Sequence, residues 1–291
     1  MSLCFGLKCC DIEAVSSYDG LRKKNMNLNQ QLLAIHLTQG IGTATTSYII
    51  KLINEDVTPT VYPWSLDFLL KIAKPTYHNR IRASYAGALR QAQTVNASYI
   101  TFFDAVYPQR LREIFEPPMI LFYAGRLDAL KLPSLSVVGT RQATSYGMST
   151  LRHMLPDVIN AGVAIVSGLA QGIDVMSHQI TFAHQGVPIA VIGTGIDIFY
   201  PRRNESLQKQ IALQGLVLSE YMPGTGPQRS HFPARNRIIA GLSSATLVVE
   251  AKNKSGSLIT ANIALQNNRE VLAVPGSIFS ETSRGTNELL S

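Results

Sequence analysis

The 291 residues carry 26 Lys and Arg against 19 Asp and Glu, a formal net charge of +7, a balance suited to a polyanionic partner. A hydrophobic share of 46% supplies a real core at this length, and no run approaches the ~20 continuous apolar residues of a membrane span, so a globular, cytoplasmic protein with no membrane partner is expected. The three cysteines, Cys4, Cys9 and Cys10, all lie in the first ten residues, which leaves the remaining chain without a disulfide framework, a cysteine nucleophile or a sulfur ligand.

Residues 1–25 show no sustained period and read as an unstructured extension, with Met26 a candidate natural start, because an apolar helical pattern begins there at once in "MNLNQQLLAIHLTQGIG". From 26 to 95 apolar residues recur at helical spacing (Leu28, Leu32, Leu33, Ile35; Tyr48, Ile49, Leu52, Ile53; Leu66, Phe68, Leu69, Ile72), broken at Gly40 to Gly42, Pro59, Pro63 and Pro75. This predicts a small helical domain of the SAM-like or helix-hairpin-helix-like kind. Its Gly-Ile-Gly turn has the form that offers backbone N–H groups to a DNA phosphate, although the same spacing also serves as a plain turn between helices.

Residues 96–291 form the second predicted domain. Its first part, "ASYITFFDAVYPQRLREIFEPPMILFYAG", reads as a strand, a short helix and a strand punctuated by Pro108, Pro117 and Pro118. Beyond 134 the alternation is regular: "SLSVVG" (134–139), "GVAIVS" (162–167), "VPIAVIG" (187–193), "GLVLSE" (215–220), "ATLVVEA" (245–251) and "EVLAVPG" (270–276) are strand-like, with helical segments between most of them. Apolar strands alternating with helices predict an α/β fold: an extended Rossmann-like, doubly wound, mostly parallel sheet. Ligands of such a sheet bind off the carboxyl ends of the strands, so the loops that follow the strands carry the information.

Four such regions are rich in glycine, small hydroxyl residues and arginine. In "GTRQATSYG", Gly139 permits the turn off the strand, Arg141 stands where a dinucleotide fingerprint has its second glycine, Ser145 is the expected N-cap and Tyr146 follows. In "SGLAQGID", Gly168 and Gly172 would let the backbone approach an anion. "GTGIDIFYPRRN" brings Arg202 and Arg203 after Phe199 and Tyr200. The fourth region joins "HFPARNRIIAGLS", with Phe232, Arg235, Asn236 and Arg237, to "EAKNKSGSLITA", where Ser255, Gly256 and Ser257 form a capped turn.

From residue 135 onward twelve Lys and Arg face nine Asp and Glu, and eight of the twelve (Arg141, Arg202, Arg203, Arg229, Arg235, Arg237, Lys252, Lys254) fall in or beside segments that follow strands. Guanidinium forks bind phosphate oxygens bidentately, so a row of them on one sheet edge fits several phosphates in line. A single arginine at such a place serves equally well in an internal pair with a carboxylate such as Asp174 or Glu250. Tyr146, Phe199, Tyr200 and Phe232 would stack exposed bases or pack under the loops.

The standard cofactor signatures are missing: "GTGIDI" lacks the third glycine of GxGxxG, and no GxxxxGK[ST] occurs. The six histidines include no HxxxH pair, and Ser167, which lacks a GxSxG elbow, is read as a cap or an anion ligand, so neither a metal, a cofactor nor a catalytic residue is expected.

In order and spacing, "GTRQATSYG", "SGLAQGID", "GTGIDIFYPRRN", "FPARNRIIAGLS", "EAKNKSGSLITA" and "REVLAVPGS" resemble the DprA/Smf family, the DNA-processing proteins of bacterial natural transformation. The resemblance covers residues 96 to 288 and, more loosely, the helical segment from Met26. It implies a single-stranded-DNA-binding recombination mediator, not an enzyme, that coats incoming strands, cooperates with the single-strand-binding protein, loads the RecA recombinase and forms a homodimer through the Rossmann-like domain. It places the DNA-binding roles on Arg141, Arg202 with Arg203, the Arg235-Asn236-Arg237 motif and the Ser255–Ser257 turn. An arginine in the first turn is thereby read as a phosphate ligand in place of the open space a dinucleotide needs. The end at "GTNELLS" reads as short of the family's last core element, without a winged helix, and the segment before Met26 matches nothing in the family. Two other readings stand beside this one: a nucleoside monophosphate phosphoribohydrolase, in which Glu250 or Glu220 would hold the ribose, and a nucleotide-sensing module.

Overall fold

The computed structural model describes residues 26–291, so the expectation for residues 1–25 lies outside the described residues. The chain divides after Asn96 into two compact units. The first contains four helices among its described residues, α1 (Leu28–Leu37), α2 (Thr43–Asn54), α3 (Leu66–Ile72) and α4 (His78–Thr94). Asn27 and Gln30 cap α1 reciprocally, each side chain accepting from the other's backbone N–H, the capping-box arrangement. Gln31 is fully buried, yet its amide is satisfied: it donates to Tyr85 Oη at 3.1 Å and accepts from Trp64 N at 2.8 Å. A network closed in this way fixes the packing of α1 on α4.

The second unit is built on an eight-stranded sheet in the order β1-β2-β6-β5-β4-β3-β7-β8. In chain order the elements are β1 (Tyr99–Thr101), α5 (Gln109–Arg112), β2 (Ile120–Gly125), β3 (Ser134–Val138), α6 (Ser145–Asn160), β4 (Ala164–Ser167), α7 (Ile173–Ala183), β5 (Pro188–Ile192), α8 (Glu205–Gln214), β6 (Leu216–Ser219), α9 (His231–Leu242), β7 (Ala245–Val248), α10 (Gly256–Gln266), β8 (Glu270–Ala273) and α11 (Arg284–Leu290). β1 pairs β2 and β2 pairs β6 antiparallel, whereas β6-β5-β4-β3-β7-β8 is wholly parallel. The chain travels outward from β3 to β6 and then restarts on the other side of β3 with β7 and β8. The switch point therefore lies between β3 and β7, where a crevice opens above the strand ends.

Strand β3 shows why its sequence alternates. Leu135 and Val137 join Leu151, Leu155, Ile159, Ile173 and Ile180 in the core beneath α6 and α7. The opposite face presents Ser134 and Ser136, whose hydroxyls donate to Leu242 O at 3.0 Å and Ile239 O at 2.7 Å of α9. Small hydroxyl residues let α9 lie close on the sheet while both of these buried hydroxyls find acceptors. Beside the first core, Leu207 and Ile211 of α8 pack with Leu169, Ala190, Ile192 and Val217.

Three local expectations need correction. The N-cap of α6 is Thr144, whose hydroxyl accepts from Gly147 N, and Ser145 is already the first helical residue. Residues 231–242, read as part of a loop, form α9, with Pro233 tolerated in the first turn where a backbone donor is not needed. Ser167 caps no helix and is closed to an external anion: it is fully buried, donates to Val137 O at 2.6 Å and lies beside the Asp174 carboxylate.

Candidate nucleic-acid interface

Above the β3/β7 switch point lies a cleft of about 900 Å³ walled by the turns after β3, β4 and β7, by Tyr200 and by the start of α9. The first turn contributes Arg141 and Gln142, the start of α9 contributes Arg229, Phe232 and Asn236, and the turn after β7 contributes Lys252, Ser255, Gly256 and Ser257. A narrower recess continues under Tyr200 and Phe232, bounded by Arg141, Gly168, Arg203 and Arg235. Five cations, Arg141, Arg203, Arg229, Arg235 and Lys252, thus line the two, against one carboxylate, Asp174.

The cations differ in kind. Arg141 is exposed and lies 6.0 Å from the Phe232 ring centroid, a cation–π contact that orients the guanidinium without neutralising it. Arg203 donates to Gln171 Oε1, and Lys252 is joined to Glu281 at 3.1 Å in an exposed pair that costs little to break. Tyr200 and Phe232 lie 5.5 Å apart, tilted by 37°, and offer two ring surfaces at the mouth of the recess. On the far wall Ser255 is the N-cap of α10 and gives it no side-chain cap, and Ser255, Gly256 and Ser257 line the cleft at the positive end of this helix. Ser255 Oγ and Ser257 Oγ lie 2.9 Å apart there, and Asn236 Nδ2 donates to Gly256 O at 3.3 Å.

Arg235 does not belong to the rim. It is 5% exposed, and its Nη1 donates to Gly168 O at 2.7 Å and to Val191 O. Burial lowers its pKa to about 10 although Asp174 pulls the other way. Burial likewise lifts Asp174 to about 6, against the pull of Arg235. Gly168 has no side chain because this guanidinium occupies the space: a Cβ there would lie 2.5 Å from Nη1. Arg235 is therefore the floor of the recess, braced by carbonyls.

Arg237 points elsewhere, to Glu220 at 2.6 Å and to Glu116 O at 3.0 Å. Burial opposes its charge, but Glu220 beside it holds its pKa above the usual arginine value. Tyr146 donates to Pro275 O at 2.6 Å, and neither it nor Ser145, Gly172 or Arg202 lines the cleft. The structure therefore brings together Gly139, Arg141, Gly168, Arg203, Asn236, Ser255, Gly256 and Ser257, with Arg235 beneath, and leaves the remaining expected site residues outside. Arg229 and Lys252, which belong to the basic row but not to the expected site, are on its walls, as is Gln171, which carries no charge to mark it in the sequence. Neither glutamate that ribose chemistry would need lines the cleft: Glu220 is tied to Arg237, and Glu250 is buried.

The family model of DNA recombination-mediator protein A matches residues 98–291. The chain belongs to this family. The DNA processing protein DprA of Streptococcus pneumoniae is 47% identical over 190 residues, 65% of this chain and 67% of that protein. Across the DprA and Smf relatives the matched stretch spans between 47% and 67% of their length. The crystal structure of the Streptococcus pneumoniae DprA superposes with a TM-score of 0.76 at 37% identity, covering 94% of this chain and 91% of that one. The Helicobacter pylori DprA, whose structure describes a single-stranded DNA binding mode, superposes with a TM-score of 0.61 at 30% identity over 67% of this chain and 88% of that one. The family model is that of a DNA recombination mediator, and its relatives are DNA processing proteins of the DprA and Smf kind. Among the described residues no helix is long and apolar enough to cross a membrane.

Proposed function

We propose that this DprA/Smf chain binds single-stranded DNA in the cleft above the β3/β7 switch point and acts as a recombination mediator in the cytoplasm during natural transformation. The observation that carries the reading is the charge imbalance of the cleft: Arg141, Arg203, Arg229 and Lys252 stand on its walls, while its one carboxylate, Asp174, is buried and faces Arg235. Backbone phosphates would lie along these cations and against the N-terminus of α10, and bases would stack on Tyr200 and Phe232. In this reading residues 96–291 are the DNA-binding domain and 26–95 a helical accessory domain. The single-stranded DNA of the Helicobacter pylori relative supports the choice of ligand. Protection of the strand, cooperation with the single-strand-binding protein, loading of RecA and homodimer formation follow from family membership as parts of the same proposal.

The test is fluorescence anisotropy with single-stranded and duplex oligonucleotides of equal length at several salt concentrations. Four wall cations predict a log–log salt slope of about −3 for the single strand, from about −0.7 for each phosphate neutralised, and weaker binding of the duplex. Equal affinity for both forms, or binding indifferent to salt, would refute the cleft. Stabilisation by AMP and not by an oligonucleotide would favour a nucleotide sensor.

A further inference from the structure

Glu250 stands at the end of β7, across the switch point from the turn that follows β3, and is 1% exposed. Its main-chain oxygen accepts from Thr140 N at 2.8 Å, extending the pairing of the two strands. Its carboxylate reaches the start of α6: Oε2 accepts from Thr144 N at 2.9 Å, while Oε1 accepts from Thr144 Oγ1 at 2.6 Å and from Thr282 Oγ1 at 3.1 Å. Thr144 is the N-cap of a 16-residue helix, so a negative group lies against the positive end of that helix dipole. In doubly wound sheets this end of the first crossover helix is where a nucleotide phosphate is held.

The first turn of α6 is shaped for the carboxylate. A Cβ on Gly147 would lie 2.4 Å from Glu250 Oε2 and 2.7 Å from its Cδ. Glycine inside a helix weakens it, and here the missing side chain makes the seat. The turn after β3 thus holds a carboxylate of the chain's own where a phosphate would sit.

We propose that Glu250 is a built-in counter-anion and a specificity-determining residue. It closes the N-terminus of α6 to mono- and dinucleotides and leaves polyanions only the Arg141 side of the cleft and the start of α10. The inference does not depend on which polyanion binds there.

Inorganic pyrophosphate is the probe. The parent protein and Glu250→Ala are titrated by calorimetry and followed by thermal unfolding. The variant should be less stable alone, gain a saturable pyrophosphate site that the parent lacks and regain Tm with it, whereas uptake by the parent should be confined to the Arg141 side of the cleft. A folded variant that takes up no more pyrophosphate than the parent would overturn the proposal, since a purely structural carboxylate predicts lost stability and no gained ligand. Should the variant not fold, amide resonances of the unmodified protein decide. Those of Thr144, Ser145, Tyr146 and Gly147 should stay in place on adding pyrophosphate, and saturable shifts at these four would overturn the idea.

Discussion

Asp174 and Arg235 face each other beneath the cleft floor, 7% and 5% exposed, and attract one another while each takes its hydrogen bonds elsewhere: Asp174 Oδ2 from Ala170 N, Arg235 through Gly168 O and Val191 O. One turn further along α7, His178 is fully buried with both ring nitrogens unpartnered. Burial, and then Arg235, depress its pKa to about 3, while burial raises Asp174 to about 6.

These two groups tilt stability in opposite directions with pH. Between about pH 4 and 6 folded Asp174 holds a proton that the unfolded chain has lost, so its contribution falls as pH rises, by about 3 kcal/mol. Folded His178 lacks a proton that the unfolded chain holds between about pH 3 and 6.5, so its contribution grows as pH rises, by about 5 kcal/mol. Asp174→Asn should therefore steepen the gain of stability with pH across that interval, and His178→Leu should remove the acid sensitivity. Urea unfolding at a series of pH values reads both, and profiles parallel to that of the parent would contradict the assignment.

Arg141 and Arg235 border the same recess but should answer substitution differently. Arg141→Ala removes an exposed guanidinium held only over a ring, so folding should be unchanged, affinity for unrelated single strands should drop alike, and the salt slope should shrink by about 0.7. Arg235→Ala leaves Asp174 buried without its countercharge and two carbonyls without a donor, a loss of about 3 to 5 kcal/mol. Denaturation curves recorded beside binding isotherms separate the two roles; loss of fold in the first variant or unchanged stability in the second would reverse them.

Arg237→Ala should likewise be a folding variant. Its partner Glu220 has 15% of its side chain exposed, so removing the guanidinium strands a mostly buried charge at a cost of about 3 kcal/mol. The salt slope of DNA binding should stay at the parent value, and a slope smaller by one phosphate would return Arg237 to the interface.

The sheet was legible because its apolar strands alternate with helical segments, and the site was legible as far as ligands gather at strand ends. What charge alone does not convey is direction. Once 231–242 is a helix, Arg235 and Arg237, two residues apart, project to different sides, one into the floor and the other toward Glu220. The helical spacing of Phe232, Arg235, Ile238, Ile239 and Leu242 was the available signal, and the flanking Pro233 obscured it. Arg141 is expected at the rim from the row of basic residues that follow strands and from the family resemblance, and its guanidinium is indeed exposed there. Glu250 shows the opposite case: its role depends on a strand and a helix far apart in sequence meeting at the switch point, and no local spacing encodes that.

Gly172 tests how the turns hold Arg141 in place. It precedes α7 with φ at +83°, and a Cβ there would lie 2.4 Å from Thr140 O and 2.7 Å from the carbonyl carbon of Arg141. Ile173 N donates to that same Thr140 O at 3.2 Å, so the two crossover turns are locked backbone to backbone with no room for a side chain. Gly172→Ala combines an unfavourable φ with a clash against main chain that cannot rotate away, and should cost about 2 kcal/mol or more. Because the turn carrying Arg141 must move to relieve it, single-strand affinity should fall as well, at a protein concentration and temperature where the variant remains folded. Calorimetric unfolding and anisotropy on one preparation would settle the matter: a variant as stable as the parent and equally tight would mean that the two turns are not mutually braced.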